Sequence, residues 1–72
     1  MSISERKFRA AVAARQAACP SLRYGQTCWN VASAEFGPEQ ITELAQTDLD
    51  PFYHDNRTEA FIGALYRLGL LA

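Results

Sequence analysis

Tyr24-Gly25-Gln26-Thr27-Cys28-Trp29-Asn30-Val31-Ala32-Ser33-Ala34-Glu35-Phe36-Gly37-Pro38 is the stretch whose reading decides the fold class. Gly25, Cys28, Trp29, Ala32 and Phe36 recur at helical spacing, with Val31 widening the same face, so the segment is an amphipathic helix rather than a strand. Its small residues leave space beside Trp29, which is therefore expected inside the core. Gly37 suits a left-handed helix stop and Pro38 the first turn of a following helix, where Glu39 complements the positive end of the dipole. One helix ends and another begins at a tight corner, the hallmark of a helical bundle.

Working outward, Ser21 stands where its hydroxyl could cap this second helix, which would run from there to about Phe36. Pro20 ends a first helix, expected to start near Ile3 because Ser2-Ile3-Ser4-Glu5 reads as a capping box. Phe8, Ala11, Val12 and Arg15 give that helix an inner stripe. On the other side, Ile41, Leu44 and Ala45 form the inner edge of a short third helix ending at Thr47. Asp50 can cap a single turn whose first residue is Pro51. Asn56 with Glu59 makes a second capping-box-like start, Phe61, Ile62, Leu65, Tyr66 and Leu68 cover the face of a fourth helix, and Gly69 stops it. The expectation is one all-α domain over residues 1–72, a compact bundle of four short helices plus a single helical turn around Pro51.

A chain of 72 residues buries only about 60% of its unfolded surface, which leaves no room for a deep catalytic cleft. With 49% hydrophobic and 21% charged residues it is too apolar for intrinsic disorder. Charges interrupt the first residues and no apolar run approaches the roughly 20 residues of a membrane span, so a cytoplasmic protein without a membrane role is expected. Cys19 and Cys28 lack metal-site spacing; buried thiols and a bridge across the turn between them are both open.

The net charge of −1 hides a polarised chain. Arg6, Lys7, Arg9, Arg15 and Arg23 face only Glu5 in the first third, whereas Glu39, Glu43, Asp48, Asp50, Asp55 and Glu59 face only Arg57 between positions 39 and 59. Asp48, Asp50 and Glu59 match some offsets of a calcium loop, but Tyr53 replaces its glycine and Pro51 imposes another backbone, so no metal is expected. His54 lacks a nucleophile, a second histidine or a phosphate cradle to work with, so neither an enzyme nor a cofactor is expected. The leading expectation is a partner-binding surface of Glu43, Asp48, Asp50, Tyr53, His54 and Asp55, which would dock on a host protein with a basic surface. The alternatives are nucleic-acid binding through Arg6, Lys7, Arg9, Arg15 and Arg23 as one stripe, and a structural subunit joined through Leu68, Leu70 and Leu71.

Leu22-Arg23-Tyr24-Gly25-Gln26 with Asn30, then Thr47-Asp48-Leu49-Asp50-Pro51-Phe52-Tyr53 and Phe61, resembles a group of short uncharacterised proteins from bacteria and their phages. The resemblance covers roughly Arg15 to Leu65. It implies a phage or prophage setting, in which small charge-split proteins include antagonists of host defence such as anti-CRISPR proteins. Their action by occupying a surface is the expectation carried here, by analogy.

Overall fold

Four α-helices follow one another, α1 (Glu5–Ala18), α2 (Tyr24–Phe36), α3 (Pro38–Ile41) and α4 (Thr58–Arg67), with 3₁₀ turns at Thr42–Leu44 and Asp55–Arg57. The computed structural model describes residues 2–72. Their Cα radius of gyration, 10.9 Å, matches the roughly 11 Å expected for a packed domain of this length.

The first helix starts later than its capping box suggests. Ile3 is drawn into a parallel bridge with Leu71: its amide donates to the Leu70 carbonyl at 3.2 Å, and its carbonyl accepts from the Ala72 amide at 2.8 Å. Ile3 is thereby extended, so the cap passes from Ser2 to Ser4, whose Oγ accepts from the Lys7 amide at 3.1 Å. Glu5 becomes the first helical residue and turns its carboxylate to Arg9 and Tyr66 instead. The Gln16 side chain donates to the Leu22 carbonyl at 2.6 Å and so ties α1 to the loop that follows it.

Ser21 does not cap α2, which begins only at Tyr24 with no side-chain bond from its own N-cap residue, Arg23. The Gly25 amide is met by Asp55 Oδ1 at 2.9 Å, an acceptor thirty positions away in sequence. At the other end the corner forms as expected: Gly37 adopts a φ of 92° and its amide closes on the Ser33 carbonyl at 3.0 Å. The third helix is shorter than its apolar edge suggests, tightening into the 3₁₀ turn and ending at Leu44 before Thr47. Asn56 does not cap α4, because the second 3₁₀ turn runs directly into Thr58 and leaves no extended position for a cap.

Phe8 and Val12 of α1 pack with Val31 and Ala32 of α2 and with Phe61 and Leu65 of α4, all buried. Phe8 stacks on Phe36 with centroids 6.1 Å apart, and Trp29, partly buried, lies tilted on Phe61 at 5.5 Å. Arg9 pins α1 to α4 from outside, bonding Glu5 at 2.7 Å and Glu59 at 3.0 Å. Gly69 ends the last helix with a φ of 75°, and Leu70 and Leu71 fold back into the core. Those two leucines are therefore unavailable for the subunit contact expected of them; Leu68 alone of the three is exposed. Both cysteines are free, and Cys19 is exposed, which corrects the expectation of two buried thiols; Cys28 is buried. No helix among the described residues is long and apolar enough to cross a membrane.

Candidate functional site

Residues 45–57 form a loop whose backbone is held almost residue by residue. Asp50 organises it. Its Oδ1 accepts from the Phe52 amide at 2.9 Å and its Oδ2 from the Gln46 amide at 2.7 Å, a carboxylate acting as a clamp on two backbone donors. Thr47 Oγ1 donates to the Leu44 carbonyl and accepts from the Leu49 amide. Pro51 is buried, and the turn that it starts closes with the His54 amide on its carbonyl at 3.0 Å. Gln46 holds a φ of 62°, the left-handed region that non-glycine residues enter only under external constraint.

This loop is docked on the start of α2. A Cβ at Gly25 would fall deep inside contact distance of the Pro51 carbonyl oxygen and 3.0 Å from its carbon, so only glycine lets the loop close. Asp55 fastens the same contact through the Gly25 amide. Arg23 lies 5.7 Å from the centroid of Tyr53, and Phe52 meets that ring edge-on at 4.8 Å. The two stretches 22–26 and 47–53, far apart in the chain, thus form one surface. Tyr53 stands out of it with 69% of its area exposed. At its foot is an open recess of about 230 Å³, lined by Gln46, Asp50, Tyr53, His54 and Arg57.

The six residues expected to bind a partner therefore divide. Tyr53, His54 and Asp50 line the recess, and Glu43 and Asp48 are exposed nearby in the chain. Asp50 and Asp55 do not present unengaged carboxylates, as expected of them, because each already accepts backbone N–H bonds. Buried or closely approached amides must find partners, and these two acids are the partners. Glu59 is likewise tied to Arg9, which disperses the calcium-like trio; no group of three potential metal-binding side chains occurs among the described residues.

The basic set does not form a single contact stripe. Arg9 is engaged by two carboxylates, which push its pKa up against the smaller effect of desolvation. Arg6, Lys7 and Arg15 are exposed but spread over roughly 180° around a helix of this pitch. Arg23 belongs to the loop surface through Tyr53.

Three contributors escape sequence reasoning. Gly25 looks like a packing residue for a neighbouring helix, yet it faces the Pro51 carbonyl. Gln46 carries no signal at all, since a left-handed turn position calls for glycine or asparagine. Arg57 did carry one, as the lone base in an acidic stretch. No protein-family model, no curated protein and no solved structure matches this chain.

Proposed function

We propose that this chain is a non-enzymatic protein-binding module that acts by occupying a basic surface of its partner. One observation carries the reading: Tyr53, the most exposed large ring, is held in place by Phe52 and Arg23 on a loop fixed by its own hydrogen bonds. Tyrosine supplies interface area at low entropic cost, and a loop ordered before contact keeps that cost low. In the stretch of chain before it, Glu43 and Asp48 are exposed, make no side-chain hydrogen bond to another described residue and serve as the steering charges. In the phage or prophage setting implied by the sequence resemblance, the target is a host defence protein, and inhibition follows from covering a groove that otherwise holds phosphate.

Capture from a bacterial lysate on the immobilised protein, followed by mass spectrometry, tests this directly. A specific protein retained at low salt should be released as salt rises, and Tyr53→Ala should abolish its capture. Glu43→Gln with Asp48→Asn should weaken capture while leaving the thermal midpoint unchanged. Retention that ignores both sets of changes would remove the loop from the interface.

A further inference from the structure

We infer that the recess at the foot of Tyr53 is a carboxylate-binding notch, which receives an aspartate or glutamate side chain set within the partner's basic surface. This rests on the loop being the contact face.

The donors converge and lack acceptors. Arg57 is partly buried, yet among the described residues it has no carboxylate within ion-pair distance; its one internal bond is a long 3.4 Å contact from a terminal nitrogen to the Thr47 carbonyl. A guanidinium presents five N–H donors in a fixed fork that matches a carboxylate edge. Gln46, Tyr53 and His54 line the same space, and their side chains make no hydrogen bond within the described residues. Each has at least one donor to offer. A volume near 230 Å³ takes a carboxylate with room for a few waters, each occupying about 30 Å³.

Asp50 is the only acid in the lining, and both of its oxygens already accept backbone amides, which damps its field. Its charge offsets the extra attraction that a dianion would gain from Arg57, and the planar edge of a carboxylate is met by two parallel N–H donors of that guanidinium. Arg57 excludes a second guanidinium or an ammonium. Gln46, one of the lining residues, holds its left-handed backbone at a cost in strain. Glu43 and Asp48 are exposed in the same stretch of chain, so an acid surrounded by bases suits this surface better than a lone anion. That pattern adds selectivity that a plain acidic patch lacks.

Titration of the ¹⁵N-labelled protein with sodium acetate at constant ionic strength reads the notch without any partner. Saturable shifts of the Arg57 side-chain N–H and of the Gln46 and His54 amides are expected in the millimolar range. Arg57→Gln should weaken acetate binding at least about tenfold, the loss of a charge-assisted hydrogen bond. His54→Ala, which leaves the fold-holding bonds intact, should weaken it at least about twofold and decides the matter if Arg57→Gln fails to fold. Shifts that are linear with acetate, or unchanged in either folded variant, overturn the assignment. So does tighter binding of inorganic phosphate, or the same residues responding to methylguanidinium instead. Because the titration involves no partner, its failure leaves lysate capture to judge the module on its own.

Discussion

Replacing Gly25 with alanine separates two opposite expectations. Gly25 lies within α2, where exchange to alanine ordinarily stabilises a helix by up to about 1 kcal/mol. The structure reverses that sign. The added methyl would occupy the space of the Pro51 carbonyl, which is itself fixed by the His54 amide. Overpacking of a close contact costs about 1–3 kcal/mol. Moving the loop aside also strips the Gly25 amide of Asp55, a charge-assisted bond worth about 1.5–3 kcal/mol. Set against the propensity gain, the net loss is about 2–4 kcal/mol, a large part of the roughly 4–11 kcal/mol typical of a domain this size. Urea unfolding followed by the fluorescence of Trp29, which lies on Phe61, measures it. Asp55→Ala should lose about 1.5–3 kcal/mol. The double variant should lose clearly less than the sum, because both changes remove one and the same bond. A Gly25→Ala protein as stable as the parent, or strict additivity with Asp55→Ala, would refute the docking of the loop on α2.

Acid should weaken the fold through Glu5, whose pKa is lowered from 4.5 by the Tyr66 hydroxyl first and Arg9 second. A depressed carboxylate contributes stability that is fully present above its unfolded pKa and lost as pH falls through its folded one. The urea midpoint should therefore drop below about pH 4.5, and Glu5→Gln should flatten that part of the profile; an unaltered slope would detach the network from stability. The bond reappears at the alkaline end, since Glu5 raises the Tyr66 phenol, whose contribution is present below its unfolded pKa and fades as pH rises through the folded one. Burial pushes the Cys28 thiol up to about 11, so a disulfide reagent at pH 8 should consume only Cys19 in the native protein and both thiols in urea. Gln46→Gly removes a left-handed side chain and should raise the urea midpoint by about 0.5–1 kcal/mol equivalent; a fall would mean that the Gln46 side chain is held by more than its backbone.

Local signals gave the helices and their stops because those signals act over a few residues. The periodic apolar face of α2, the glycine and proline at 37 and 38, and Gly69 all acted where they stand. The starts were less legible, for a physical reason visible at each. Ser2 lost its cap to a bridge with residue 71, Ser21 lost its role to Asp55, and Asn56 was absorbed into a 3₁₀ turn. In every case the winning partner was remote in sequence or the local backbone had already been committed. The loop at 45–57 followed the same logic. Tyr53 and His54 were readable as exposed residues, but the use of Asp50 and Asp55 depended on which amides the fold left unpaired. Sequence shows a carboxylate's charge; only the packed chain shows what it is spent on.

That distinction bears on how the surface could act. If every acid between 39 and 59 projected outward, the face would attract any polycation and discriminate among few. Here Asp50, Asp55 and Glu59 are engaged in bonds that stabilise the body, and the exposed acids of this stretch without such a bond are Glu39, Glu43 and Asp48. Rim charges chiefly set the speed of encounter, whereas residence and selectivity come from the centre of a contact. In the proposed contact that centre is Tyr53 with the recess beside it, where Arg57 contributes a cation. The same division would tie the proposed binding to folding: the carboxylates of Asp55 and Asp50 accept the Gly25 and Gln46 amides, so loosening the loop would lose the placement of Tyr53 and the recess together.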